Sequence, residues 1–284
     1  MARPMRILFL GDVVGAPGRA AVAKHLPTMR EKYSADVVIV NGENIRNGSG
    51  ITPDLLQALR DAGADAVTLG DHVYRDPKIT SALEDPSIPV CRPANLSDRA
   101  PGKRWVRIAA AAGRPRDVFV TTVLGRIYFP LPADDPFATV DRVLKELPEK
   151  RPLVIVEAHM EVTSEKAALA HHLDGRVAAV IGTHTHVPTA DERILSGGTA
   201  FITDVGMCGP CDGVIGRDAS RVVHHMTTAL PVQYEVSGGE VRVSGVLIEV
   251  SSDTGLALKI ERVEAGDRRK TSLFHDATHI ANTI

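Results

Sequence analysis

Five apolar, strand-like runs punctuate the first two thirds of the chain, and each is followed directly by polar residues able to ligate a metal. The runs are Arg6-Ile7-Leu8-Phe9-Leu10, Val37-Val38-Ile39-Val40, Ala66-Val67-Thr68-Leu69, Leu153-Val154-Ile155-Val156 and Ala178-Ala179-Val180-Ile181. Continuous aliphatic stretches of this kind, without alternation, predict strands buried on both faces, as in an α/β sheet. Helical stretches lie between them. Thr52-Pro53-Asp54 supplies a cap, a proline at the first helical position and an acidic second position, which predicts a helix over 55–62. Asp135-Pro136 repeats the device ahead of 137–147, and Thr163-Ser164-Glu165 starts a helix carrying 166–173. Beyond about residue 186 the pattern changes. Apolar runs at 232–236, 241–250 and 256–263, separated by Ser237-Gly238-Gly239 and Ser251-Ser252-Asp253-Thr254-Gly255, predict an antiparallel meander. No repeat or linker divides the chain. One domain with two sheets is expected over 1–284, ending in a surface or subunit-contact tail at 267–284.

The polar residues after the runs are Asp12, Glu43 with Asn44, Asp71 with His72, His159, and the pair His184 and His186. Ligands of α/β sheets collect at the carboxyl ends of strands, so these segments can deliver their side chains to one rim and assemble a binuclear metal centre. Taken singly, Asp12 in Gly11-Asp12-Val13-Val14-Gly15 reads as a turn residue. His184-Thr185-His186 is more telling, because residues two apart in an extended segment project to the same side. Oxygen and nitrogen donors without thiolate favour iron, manganese or zinc over calcium or magnesium. His171-His172 and His224-His225 lack that geometry and read as solvated or packed side chains. The spacing of Gly11, Gly15 and Gly18 matches neither common nucleotide-binding glycine loop.

Composition narrows the class. The 284 residues are 44% hydrophobic and 24% charged, enough for a large core, and the formal charge of −2 supplies no basic field for duplex nucleic acid. No window approaches the roughly 18 apolar residues of a membrane span, and Met1-Ala2-Arg3-Pro4 runs into a strand without a signal-peptide pattern, so a cytoplasmic protein is expected. Cys91, Cys208 and Cys211 are too few for a disulfide framework. Cys208-Gly209-Pro210-Cys211 has the form of a dithiol redox motif, but Asp212-Gly213-Val214-Ile215-Gly216 does not open an amphipathic helix, and a structural loop is the expected reading.

The order of segments resembles the calcineurin-like metallophosphoesterase superfamily and, within it, the YmdB-like bacterial phosphodiesterases. The resemblance is carried by Gly11-Asp12-Val13-Val14-Gly15, Asn41-Gly42-Glu43-Asn44, Gly70-Asp71-His72, Arg92-Pro93-Ala94-Asn95, the stretch from His159 to Lys166, Gly182-Thr183-His184-Thr185-His186-Val187 and Thr203-Asp204-Val205-Gly206-Met207. It implies an αββα sandwich, two packed mixed sheets flanked by helices with the metals at the strand ends. It further implies that Asp12, Glu43, Asn44 and His186 hold one metal, and that Glu43, Asp71, His159 and His184 hold the other, with Glu43 bridging. Val14 stands where the wider superfamily has a histidine, and Asn44 is its substitute ligand. Two departures stand out: Asp71 replaces the usual asparagine of the third motif, and the cysteine pair occupies a loop that ordinarily has none. The implied activity is metal-dependent hydrolysis of small phosphodiesters, cyclic nucleotides such as 2′,3′-cyclic phosphates foremost, with His72 as the acid. Two divalent ions are implied, iron or manganese, with zinc a further option, in a homo-oligomer. A nucleotide- or metal-binding regulator with weak hydrolysis is the alternative, and a thiol oxidoreductase a third.

Overall fold

The computed structural model describes residues 3–129 and 131–266, so the proposed contact tail at 267–284 lies outside the described residues. In chain order the elements are β1 (Met5–Leu10), β2 (Asp12–Val13), α1 (Gly15–Tyr33), β3 (Val37–Asn41), α2 (Pro53–Asp61), β4 (Ala66–Thr68), α3 (Thr80–Glu84), β5 (Val90–Cys91), β6 (Trp105–Ile108) and β7 (Val118–Leu124). They continue with α4 (Pro136–Glu146), β8 (Leu153–His159), α5 (Thr163–Leu173), β9 (Ala179–Thr183), β10 (Arg193–Ile194), β11 (Ala200–Ile202), β12 (Met207–Pro210), α6 (Ala219–Thr228), β13 (Val241–Val250) and β14 (Ala257–Gly266).

Two mixed sheets form. The first runs β2-β12-β13-β1-β3-β4-β5, with β14 also paired to β13, and the second runs β10-β11-β9-β8-β7-β6. Strands β1, β3, β4 and β5 are mutually parallel, as are β7, β8, β9 and β11. The two-residue period of a strand explains the layering. Ile7 and Phe9 point between the sheets, where they meet Val120, Ile155 and Ile181, while Leu8 and Leu10 on the opposite face pack against Val22, Leu26 and Met29 of α1 and Leu56 and Leu59 of α2. On the far side, Phe119, Val154 and Val156 pack against Val140 and Val143 of α4 and Leu169 of α5. Both faces of each sheet are thus covered, which accounts for the unbroken apolar runs. The architecture is the expected αββα sandwich.

The predicted caps are realised: Thr52 Oγ1 accepts from Leu55 N at 3.4 Å and Asp135 Oδ1 from Phe137 N at 2.9 Å. The predicted strand at 232–236 does not form; only Val236 makes an isolated bridge, to Arg217. A strand needs a free ladder edge, and both edges of β13 are occupied, by β12 and β1 to one side and β14 to the other. The C-terminal meander is therefore a single β13–β14 hairpin, preceded by α6, which its sequence did not announce. Among the described residues, no helix is long and apolar enough to cross a membrane.

Candidate metal centre

The expected donors converge at the carboxyl ends of the parallel strands, but from two sheets rather than one. Asp12 on β2, Glu43 and Asn44 after β3, and Asp71 and His72 after β4 come from the first sheet; His159, the last residue of β8, and His184 and His186 after β9 come from the second. Glu43, Asp71, His159 and His184 each offer a ligand atom within 4.8 Å of the others. His159 Nε2 lies 3.3 Å from Glu43 Oε1, 3.2 Å from Asp71 Oδ1 and 3.2 Å from His184 Nδ1. Beside this group, Asn44 Nδ2 stands 3.0 Å from Glu43 Oε1, 3.4 Å from Asp12 Oδ1 and 3.2 Å from His186 Nε2. Gly70 lets the third segment approach: a Cβ there would fall 2.2 Å from both Glu43 Oε2 and His159 Nε2.

Each of the three imidazoles is oriented from behind. His159 Nδ1 donates to Thr183 Oγ1 at 2.9 Å, and that hydroxyl donates in turn to Glu157 Oε1 at 2.6 Å. His184 Nε2 faces Glu161 Oε2 at 3.2 Å, and His186 Nδ1 donates to the carbonyl of Ile215 at 3.0 Å. With its outward nitrogen engaged, each ring turns its other nitrogen and lone pair to the carboxylates, the arrangement that fixes a ligating tautomer. With a proton on His159 Nε2 the 3.2 Å to His184 Nδ1 is an N–H···N hydrogen bond; once that proton leaves, two lone pairs converge among carboxylates, as ligands of a divalent cation do.

The supporting layer was not foreseen. Glu157, two residues before His159 on the same face of β8, is fully buried and accepts from Asn41 Nδ2 at 2.5 Å and Thr122 Oγ1 at 2.9 Å. Asn41 Oδ1 accepts from Glu43 N at 3.0 Å, so this one side chain ties the backbone of Glu43 to the second sheet. The signal available in the sequence was a charged residue interrupting an apolar run, two positions from a candidate ligand. Phe129 packs its ring 4.8 Å from that of His184 and 6.2 Å from that of His159, covering the cluster on one side.

The pairing of His184 and His186 arises differently from the extended geometry expected. Their φ angles are +92° and +66°, in the region that favours glycine, so a turn directs His184 to His159 and Asp71 but His186 to Asn44 and Asp12. Such strain of about 1–3 kcal/mol per residue persists only where the surroundings impose it. His72 lies alongside. Its backbone N–H donates to Glu43 Oε2 at 3.1 Å, its Nδ1 lies 2.7 Å from Asn44 Oδ1, and its Nε2 lies 3.6 Å from Asp71 Oδ2.

Burial and charge divide the protons of these groups unevenly. Burial pushes Asp12 up to about 6, with His186 and His159 pulling it partway back. Burial also disfavours a charged His159, but the Glu43 carboxylate and hydrogen bonds that the ring donates to Asp71 and Glu157 outweigh it and hold the imidazole well above its usual value. Burial and the neighbouring charge of His159 press His184 down to about 3. Protons on His159 and Asp12 must leave before a cation can take their lone pairs. Groups with raised pKa bind protons that compete with metal, so raising pH from about 5.5 to about 7.5 should tighten Mn²⁺ binding, by about tenfold per unit for each proton displaced. Calorimetry at about pH 6 in two buffers of different ionisation enthalpy should register proton release; an identical heat in both would count against this picture.

The cysteines stand apart. Cys208 lies in β12 rather than in a loop or at a helix start; burial pushes its thiol up to about 12, and Cys91 is equally buried at about 12. A thiol so far from ionisation is not a nucleophile at neutral pH, and the dithiol reading loses its physical basis. His172 is a surface partner of Asp141, at 3.1 Å, and His225 donates to the carbonyl of Leu230 at 2.8 Å.

An αββα sandwich that gathers carboxylates, an amide and oriented imidazoles at the strand ends of both sheets defines a metallophosphoesterase. Within that class the chain belongs to the YmdB-like family, whose model matches residues 8–263. It is 43% identical over 264 residues to the 2′,3′-cyclic-nucleotide 2′-phosphodiesterase of Bacillus subtilis (strain 168), covering 93% of this chain and 98% of that protein. Among solved structures, a hypothetical protein from Thermus thermophilus superposes with a TM-score of 0.85 at 40% identity, covering 93% of this chain and all of the other. A phosphatase from Mycoplasma pneumoniae superposes with a TM-score of 0.86 at 32% identity, covering 94% and 95% of the two chains.

Proposed function

We propose that the chain is a binuclear metal-dependent phosphodiesterase acting on small phosphodiesters, with 2′,3′-cyclic nucleotides the leading substrates. The observation that carries this reading is the orientation of His159, His184 and His186, each held by its outward nitrogen so that the other faces the carboxylate cluster. The relation to the Bacillus subtilis enzyme supports the substrate class. Asp12, Glu43, Asn44 and His186 would hold one ion, and Glu43, Asp71, His159 and His184 the other. Iron or manganese suits this donor set, with zinc a further option. When bound, two such ions lower the pKa of a water, align it with phosphorus and neutralise charge on the phosphoryl oxygens.

The protein's own groups complete the reaction. As an imidazolium, His72 would carry protons on both nitrogens, with Nδ1–H donating to Asn44 Oδ1 at 2.7 Å and Nε2–H free to protonate the departing alkoxide. Burial lowers the imidazole's proton affinity, but the hydrogen bond and charge of Glu43 outweigh it and raise its pKa, which suits an acid near neutral pH. The test is metal analysis of the purified protein joined to a screen of cyclic and linear phosphodiesters. The expected result is two ions per chain, turnover of 2′,3′-cyclic nucleotides that chelation abolishes, and recovery with manganese or iron. Tight nucleotide binding without metal-stimulated turnover would instead establish a regulator.

A further inference from the structure

Two segments of the chain that the proposed chemistry leaves unused meet directly behind the metal centre: Lys166 on α5, and Asp204 in the turn after β11. Their side chains are 0% and 1% exposed, and Lys166 Nζ donates to Asp204 Oδ2 at 2.9 Å. The same ammonium donates to the carbonyl of Thr183 at 2.7 Å. The same carboxylate oxygen accepts from Thr185 N at 3.1 Å and Thr185 Oγ1 at 2.8 Å, while Asp204 Oδ1 accepts from Gly206 N at 2.8 Å. The pair therefore grips the backbone on both sides of His184, the residue before through its carbonyl and the residue after through its N–H and hydroxyl.

We infer that Lys166 and Asp204 are positioning residues that hold the His184-Thr185-His186 turn in its left-handed shape and thereby set the affinity of the centre for its ions. The inference rests on the metal reading of the site given above. Three observations lead to it. His184 and His186 have positive φ without being glycine, so the turn needs external restraint. The restraint has to act beside His184 itself, and bonds to Thr183 and Thr185 do so. Finally, a buried ion pair contributes little to stability relative to apolar residues of the same size, so directional hold on the backbone is what this pair offers that packing does not. Neither residue touches a candidate ligand side chain in any contact described above, which separates their role from ligation.

The single variant Lys166→Met would leave Asp204 as a buried, unpaired carboxylate, and loss of folding would follow from that alone. The informative protein is the double variant Lys166→Met, Asp204→Asn, in which no charge is left unpaired. Three quantities are measured on the full chain: the thermal midpoint in EDTA, hydrogen exchange of the amides over 183–187 in EDTA, and the Kd for Mn²⁺ by equilibrium dialysis. The expected result is a midpoint within a few degrees of wild type, faster exchange over 183–187, and a Kd weaker by about ten- to hundred-fold, the range found when a partner behind a metal ligand is removed. Turnover should recover in part at saturating Mn²⁺. A double variant that binds Mn²⁺ as tightly as wild type overturns the inference while leaving the metal centre intact. A midpoint in EDTA lower by more than about ten degrees overturns it in favour of a general role in stability. If wild type itself takes up no Mn²⁺, the metal reading fails and the inference falls with it.

Discussion

His184→Ala is expected to remove most metal from the site formed by Glu43, Asp71, His159 and His184 and to abolish most phosphodiesterase turnover. The imidazole presents Nδ1 to the cluster, 3.2 Å from His159 Nε2 and 3.6 Å from Asp71 Oδ1, with Glu161 behind it fixing the tautomer. Loss of a partner behind a ligand costs about ten- to hundred-fold in metal affinity or activity, and loss of the ligand itself should exceed that. The position is also a fair one to test, because the His184 side chain retains 24% exposure and alanine there opens onto solvent. His159 is completely buried, and its removal would strand Glu43 and Glu157 around a void, confusing ligation with folding. Elemental analysis and a rate measurement on folded His184→Ala decide the matter. A full complement of metal together with a normal rate would remove His184 from the centre.

His72→Ala should give the opposite pairing: metal retained, hydrolysis slowed by about 10²- to 10⁴-fold, the contribution of a general acid. The structure separates the two roles of this residue. Its backbone N–H, not its side chain, holds Glu43 Oε2 at 3.1 Å, so alanine keeps that restraint on the Glu43 carboxylate. The imidazole stands beside Asn44 and Asp71, oriented by them. A diester whose leaving group needs no proton should lose much less than a cyclic nucleotide. Equal losses for both substrates would argue for binding rather than proton transfer, and loss of metal would make His72 a ligand.

Most of this centre was legible in advance, for a reason rooted in locality. The apolar runs that became β1, β3, β4, β8 and β9 are dictated by burial of both strand faces, and Thr52 and Asp135 cap their helices through bonds to residues two or three positions on. Donors placed just after strand ends inherit the common direction of parallel strands. That Asp12, Glu43, Asn44, Asp71, His72, His159, His184 and His186 come to lie beside one another is therefore expected from order alone.

What the linear pattern could not supply were the partners that decide how those donors point. Asn41 meets Glu157 across 116 positions, and His186 meets the carbonyl of Ile215 across 29. Neither contact has a local signature, because each exists only after the two sheets have packed. The left-handed turn at His184 and His186 is a similar case: local preference runs against it, and it stands because Lys166 and Asp204, from separate elements, hold its flanks. The run at 232–236 failed for the converse reason, since alternation makes a segment able to be a strand but only the tertiary structure provides a free edge for it to join. Sequence by itself thus determined which elements form and the order of the chemical groups; packing of one sheet on the other determined their tautomers, their separation and their strain, because hydrogen-bond partners are settled by proximity in space and not along the chain.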